Sequence, residues 1–456
     1  MNLEVIILAA GQGTRMKSSL PKVLHPVAGR PLLQHVVETA QQLQPVAIHV
    51  VVGHGAQQVQ EAMGAFELNW VQQTEQLGTG HAVLQAMPAV SADSTVLVLY
   101  GDVPLIEKVT LEELIGQAKE APALLTAIVA DSAGYGRILR SEEGDLLGVV
   151  EDKDADNEQR TIDEINTGVL AAPAADLSAY LPRVGNENKQ SEYYLPDVLS
   201  LAVAQGKKVA SAVAEHELEI LGVNDRVQLN QVEREFQRRQ AEGLMRQGVW
   251  VADAQRLDIR GGVSVGAEVS IDVNVVFEGK VELGDGVSIG PNCYLKNVVI
   301  EAGACIHAMS HLEEVHVGAQ CNVGPYARLR PGTVLEPRAR VGNFVETKKA
   351  HVGVGSKINH LSYVGDCEMG QGVNIGAGTI TCNYDGVNKH KTEIGNGVFI
   401  GSNSTIVAPM QIADGGFVAA GSTVTKAVGE QELAVSRAKQ RNISGWQRPG
   451  KSGGEN

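Results

Sequence analysis

Gly11-Gln12-Gly13-Thr14-Arg15-Met16, followed by Pro21-Lys22, is the segment of this chain best suited to holding phosphate. Gly11 and Gly13 let the backbone approach a ligand without Cβ clashes, and free N–H groups in such a loop cradle phosphate oxygens. Arg15 and Lys22 add the fixed positive charge that a triphosphate and its leaving group need. A dinucleotide-binding loop would carry a third glycine where Met16 stands, and no GK[ST] triplet follows, so the P-loop pattern is excluded too. Farther on, Val96–Tyr100 ends in Gly101-Asp102, a carboxylate at the carboxyl end of an expected strand. Magnesium prefers one or two carboxylates together with substrate phosphates, so Asp102 is a natural ligand for it. A third group combines Arg328-Leu329-Arg330, Glu346-Thr347-Lys348-Lys349 and Asn359-His360-Leu361-Ser362-Tyr363. His360, as a neutral imidazole near pH 7, can take a proton from a reacting amine.

The elements that must position these residues differ between the two halves. In the first half, Val5–Ala10, Val46–Val52, Thr95–Tyr100 and Ala123–Val129 read as buried strands, and Leu32–Leu43 as a helix. Strand–helix–strand order predicts a mostly parallel sheet covered on both faces, with ligands at the carboxyl ends of its strands. Asn224–Gly248 reads as a charged connecting helix with an apolar stripe of Val227, Leu229, Val232 and Phe236.

After it a six-residue period takes over. Apolar residues recur at Ile259, Val265, Ile271, Phe277, Leu283, Ile289 and Leu295, at Val317, Val323, Leu329, Leu335 and Val341, and at Ile394, Ile400, Ile406, Ile412, Val418 and Val424. The pattern loosens through His307–His316 and is interrupted between Cys382 and Glu393. Three six-residue sides per coil stack each apolar residue on the next, which is a β-solenoid. Glycine agrees: 18 fall in residues 1–227 and 33 in residues 228–456, as a constantly turning chain requires. Residues 18 apart share a side, so Arg330 and Lys348 stack, and two stacked cations repel unless an anion lies between them.

Composition narrows the rest. A net charge of −15 argues against a general nucleic-acid binder. The longest apolar runs are too short to span a bilayer, and Met1–Ala10 lacks the basic start of a secretory signal, so a cytoplasmic protein without a membrane partner is expected. Cys293, Cys305, Cys321, Cys367 and Cys382 form no CxxC pair and read as free thiols, chiefly small buried filler. The tail Arg448–Asn456 is expected to be disordered.

Taken together, G-x-G-T-R and P-K resemble the signature of sugar-nucleotide pyrophosphorylases, and the hexapeptide array resembles the left-handed parallel β-helix of acyltransferases. From Val5 to about Arg441 the chain resembles the bacterial family of bifunctional N-acetylglucosamine-1-phosphate uridyltransferase/glucosamine-1-phosphate N-acetyltransferases. That resemblance implies an α/β doubly wound, Rossmann-like nucleotidyltransferase domain over 1–226, a linker helix over 227–248 and a left-handed β-helix acetyltransferase domain with its tail over 249–456. It implies acetyl transfer from acetyl-CoA to glucosamine 1-phosphate, then uridylyl transfer from UTP to the product. The outcome is UDP-N-acetylglucosamine, a precursor of bacterial cell-wall polymers.

The same resemblance assigns residues. UTP and the UDP-sugar would be held by Leu8, Ala9, Ala10, Gly11, Lys22, Gln73, Gly78, Thr79, Tyr100, Gly101, Asp102, Gly136, Glu151, Asn166 and Asn224, with Mg2+ on Asp102 and Asn224. Arg15 and Lys22 would serve the uridylyl transfer and His360 the acetyl transfer. Arg330, Lys348, Tyr363 and Asn374 would hold the aminosugar phosphate, while Ala377, Asn383, Tyr384, Ser402, Ala420 and Arg437 would line the acetyl-CoA path. A homotrimer is implied as well. The weaker alternative keeps only the pyrophosphorylase and makes the β-helix a structural module.

Overall fold

The computed structural model describes residues 2–450, in two compact units that divide between Gln240 and Ala241. The disordered tail expected from Arg448 falls outside the described residues beyond Gly450.

In the first unit, Val5, Ile6, Ile7 and Leu8 leave the strand Leu3–Ala9 no polar face to turn to water. Successive side chains of a strand point to opposite faces, so such a strand needs a core on each side. Val5 and Ile7 accordingly join one apolar cluster, with Leu33, Val36 and Val37 of the helix Leu32–Gln41. Ile6 and Leu8 join another, with Ala82, Val83 and Ala86 of the helix Thr79–Ala86. Leu3–Ala9 pairs in parallel with Ala47–Val52 and Thr95–Tyr100, so the three strands end at one edge. The sheet order is Ala210–Val213, Ala123–Ile128, Glu164–Pro173, Thr95–Tyr100, Leu3–Ala9, Ala47–Val52, Asn69–Gln72.

Within that seven-strand order one strand departs from the mostly parallel expectation, and the hairpin Gly136–Arg140 and Leu146–Val150 adds further antiparallel pairing beside it. Glu164–Pro173 runs antiparallel to both neighbours, and its register breaks between Asn166 and Leu170. The bulge is held by a bond from the Gly168 N–H to Asn166 Oδ1, 2.8 Å, and by Gly168 at φ 83°, lying against the Tyr100 ring. A bulge beside a ligand edge re-aims side chains that a regular ladder would spend on pairing.

At the opposite end of the sheet Glu4 is only 3% exposed. Burial pushes its carboxyl up, but Ser94 Oγ, His49 Nε2 and the Ser91 N–H, all bonded to it, prevail and hold it at about 2. Its stabilising contribution is therefore fully present above the ordinary 4.5 and is lost as pH falls through about 2. Glu4→Gln is expected to cost on the order of 3 kcal/mol at neutral pH. A urea midpoint at pH 7 equal to that of the parent chain would refute this.

The helix expected over 227–248 runs Arg226–Arg246. Of its predicted stripe, Val232 is buried and Leu229 and Phe236 pack with it against Met16, Val27 and Leu32. Val227 instead faces solvent at 68% exposure, since two residues before Leu229 it falls on the opposite face of the helix.

The second unit is a left-handed parallel β-helix. Its interior is a ladder in which Ile306, Val323, Val341, Ile358, Ile375, Ile400 and Val418 stack coil on coil. Each coil buries its face only against its neighbours, and this stacking is what makes the six-residue period visible. The stretch His307–His316, irregular in sequence, keeps the winding: His311–Glu313 and Val315–Val317 pair in register, and Leu312 and Val315 are buried. Between Cys382 and Glu393 the chain leaves the solenoid as a loop closed by a Tyr384–Lys389 bridge. All five cysteines are free; Cys293, Cys321 and Cys367 are buried, while Cys305 and Cys382 are half-buried.

Candidate functional site

Two polar sites arise, one in each unit. In the first, a cleft of about 520 Å³ opens at the carboxyl ends of Leu3–Ala9 and Thr95–Tyr100. The phosphate-loop residues Leu8, Ala9, Ala10, Gly11, Arg15 and Lys22 line it. So do Gln73, Gly78 and Thr79 on one side, and Tyr100, Asp102 and Asn224 on another. Gly101 lies just behind, its N–H donating to the Leu8 carbonyl at 3.0 Å, which ties the two strand ends together. Gly136, Glu151 and Asn166 stand outside that lining but adjoin one another. A Cβ on Gly136 would lie 3.2 Å from Glu151 Oε1 and 3.4 Å from Asn166 Cβ.

The electrostatics centre on Lys22. Its ammonium hydrogen-bonds Asp102 Oδ2 and lies 3.4 Å from Asn224 Oδ1, which also accepts from Arg15 Nη2 at 3.0 Å. A cation is thus at home between a carboxylate and an amide oxygen facing the cleft, so the donor set suits Mg2+. Among the described residues no group of three or more His, Cys, Asp or Glu could hold a metal. A divalent ion on Asp102 and Asn224 would therefore complete its shell with substrate oxygens and water. Burial pushes the Tyr100 phenol far above its ordinary value, with Glu151 and Asp102 adding to it, so it stays neutral. Burial likewise raises Glu151, helped by the carboxylates Asp197, Asp154, Asp152 and Glu192.

Gly78 begins the helix Thr79–Ala86 at φ 112°, with Tyr193 so close that a Cβ would sit 2.6 Å from its carbonyl oxygen. Gln73 is buried and its Nε2 donates to the Gly78 carbonyl at 3.3 Å. Sequence reasoning missed Gln76, Tyr135, Glu192 and Gln228, which also line the cleft. Gln76, Tyr135 and Glu192 come from loops without periodicity and Gln228 from the first turn of the helix starting at Arg226, and no motif marks them.

In the second unit Arg330 and Lys348 fall in adjoining coils, as the spacing required: Leu329 pairs with Thr347, and the Arg330 N–H donates to the Thr347 carbonyl. Arg330 Nη1 bonds Glu346 Oε1 at 2.8 Å, an anion supplied by the chain itself. The like-charged neighbour of Lys348 is instead Lys389, brought over by the loop. The Lys389 ammonium beside it, together with burial and the Arg330 charge, pushes Lys348 below its ordinary value, against the pull of Asp366. Asn383 Nδ2 bonds that same Asp366, tying the loop to the solenoid.

His360 ends the strand Lys357–His360 and is exposed. Asn343, at the end of the adjoining strand Arg340–Asn343, is its register partner. Tyr363 begins the next strand, its hydroxyl lying where a side chain on Gly365 would stand. Asn374 pairs with Lys357 one coil on. Of the residues expected along the acetyl-CoA path, Ala377 accepts from the Asn403 N–H at 2.7 Å, and Ser402 accepts from the Gly421 N–H at 2.8 Å. Arg437 Nη1 reaches the Ala420 carbonyl at 2.7 Å, and Tyr384 is exposed on the loop, its hydroxyl donating to the Gly386 carbonyl. Lys389, Asp366 and Asn343 were missed from sequence, and Glu346, though part of the cluster, was given no role; only the break in the six-residue period at 382–393 hinted at Lys389.

Comparison with known proteins adds the following. Residues 5–169 match the family model of the MobA-like NTP transferase domain, and residues 259–352 that of the GMPPB C-terminal domain. A protein of Pseudomonas putida strain F1 named bifunctional protein GlmU is 56% identical over 452 residues, covering 99% of each chain. The protein of that name from Marinobacter nauticus is 56% identical over 451 residues, again covering 99% of each. That from Alkalilimnicola ehrlichii is 54% identical, covering 98% of this chain and 97% of its own.

Proposed function

The chain belongs to the family of bifunctional GlmU proteins, and from that premise we propose which of its residues carry each of two reactions. It is a glucosamine-1-phosphate N-acetyltransferase and a UTP-dependent N-acetylglucosamine-1-phosphate uridyltransferase, which together make UDP-N-acetylglucosamine. The observation that carries this reading is identity above one half across both units, not across the nucleotide-binding unit alone.

For uridylyl transfer, the 1-phosphate oxygen of N-acetylglucosamine 1-phosphate attacks the α-phosphorus of UTP. An O–P bond forms, the α–β bridge breaks, and pyrophosphate leaves. No protein nucleophile takes part; positioning and charge neutralisation lower the barrier. The Gly11–Gly13 loop and Arg15 hold the phosphates, and Lys22, released from Asp102, follows the developing charge. Asp102 and Asn224 would hold Mg2+, which when bound would supply charge neutralisation at the phosphates. Gln73, Gly78 and Thr79 face the uracil, and Gly136, Glu151 and Asn166 the sugar.

For acetyl transfer, the amine of glucosamine 1-phosphate attacks the thioester carbonyl. A C–N bond forms, the C–S bond breaks, His360 accepts the amine proton and CoA leaves as its thiol. Arg330, Lys348, Tyr363 and Asn374 hold the aminosugar phosphate, and Lys389 adds charge beside Lys348. Ala377, Asn383, Tyr384, Ser402, Ala420 and Arg437 line the acetyl-CoA path.

We assign the chain to a homotrimer in the cytoplasm. What supports the trimer is an apolar ridge along one solenoid corner, with Tyr326 stacked on Phe344 at 5.2 Å, flanked by exposed Met309 and Leu361. Sedimentation equilibrium should return three times the chain mass; a single chain mass would refute it. No described helix is long and apolar enough to cross a membrane.

Two assays on the purified chain test the reading. Acetyl-CoA and glucosamine 1-phosphate without nucleotide should release free thiol. UTP and N-acetylglucosamine 1-phosphate should release pyrophosphate. Pyrophosphate without thiol would reduce the β-helix to a structural module.

A further inference from the structure

We propose that Asn343 is the positioning residue for His360: its amide oxygen accepts the Nδ1 proton, so that the Nε2 lone pair faces the substrate amine. This rests on reading His360 as the base of acetyl transfer. The two side chains are register partners on adjoining coils, and His360 Nδ1 lies 3.0 Å from Asn343 Oδ1. A neutral imidazole carries one proton between two nitrogens, and whichever nitrogen meets an acceptor keeps it. An amide oxygen only accepts, so Nδ1 donates and Nε2 is left bare.

The surroundings are built to keep this contact. Ser362 Oγ donates to the His360 carbonyl at 2.8 Å, fixing the backbone beneath the ring. Gly342 lets the coils close up: a Cβ there would stand 2.0 Å from the Asn359 carbonyl oxygen, and any side chain would part Asn343 from His360.

The choice of partner also separates this histidine from three others of the same unit. His316, His351 and His390 each meet a carboxylate, Glu301, Glu336 and Asp385 respectively. His360 meets an uncharged amide oxygen, which orients the ring.

Three variants of the full chain test the assignment: Asn343→Leu, Asn343→Asp and His360→Ala. Asn343→Leu removes the acceptor at similar volume. It is expected to lower kcat for thiol release by about 10–100-fold, with KM for both substrates within about twofold and pyrophosphate release unchanged. Asn343→Asp keeps an acceptor and is expected to recover the rate to within about fivefold of the parent. In ¹⁵N-histidine spectra, the His360 signals, assigned by their loss in His360→Ala, should show a protonated Nδ1 and a bare Nε2. A parental kcat in Asn343→Leu, or a protonated Nε2 in the parent, would overturn the proposal while leaving His360 as base. Thiol release at the parental rate by His360→Ala would overturn the reading of the base itself.

Discussion

His360→Ala is expected to lower thiol release from acetyl-CoA and glucosamine 1-phosphate by about 10²–10⁴-fold, the usual worth of a positioned base. The amine must shed a proton as the C–N bond forms. The register partner of His360 is Asn343, whose amide cannot take it. Because the imidazole is exposed at a strand end and supports no apolar packing, the loss should fall on the rate and not on stability. Pyrophosphate release from UTP and N-acetylglucosamine 1-phosphate should stay at the parental value, since no residue of that cleft comes from beyond Gln228. A His360→Ala rate within about threefold of the parent would remove His360 from the mechanism.

The second large effect is the reverse case. Lys22→Ala should lower pyrophosphate release by about 10²–10³-fold, the scale of losing one preorganised charge at a reacting oxyanion, and leave thiol release untouched. Lys22 is largely buried, its side chain 15% exposed, and it shares Asp102 and Asn224 with the position proposed for Mg2+. Removing it deletes the ammonium that would meet the phosphates and at the same time leaves Asp102 freer for a metal. The assay therefore belongs at saturating Mg2+, where only the lost charge can count. A rate within about tenfold of the parent under those conditions would show that Arg15 and the loop N–H groups suffice.

Much of this architecture is legible in the chain because burial repeats. Val5 to Leu8 are apolar at every position, and a strand that needs a core on both faces has to look like that. The stack from Ile306 to Val418 recurs because each coil presents the same inward position to the next. Gly11, Gly13, Arg15 and Lys22 announce a phosphate loop because backbone freedom and fixed charge are demands on single residues at fixed spacing.

What burial does not repeat, the chain does not advertise. The antiparallel course of Glu164–Pro173 depends on which strands meet across the sheet, and apolar alternation is the same in either direction. Arg330 and Lys348 were placed correctly by spacing, yet the carboxylate beside Arg330 and the second ammonium beside Lys348 were not. Glu346 and Lys389 reach them through a side-chain rotamer and a loop that leaves the solenoid. The bond between Asn343 and His360 needs two coils in exact register and a glycine that lets them touch. Residue type and period therefore determine which segments pack and which loops can meet phosphate. The partner of each charged or titrating group is decided only when distant segments close on one another, because a pairwise contact leaves no period in the sequence.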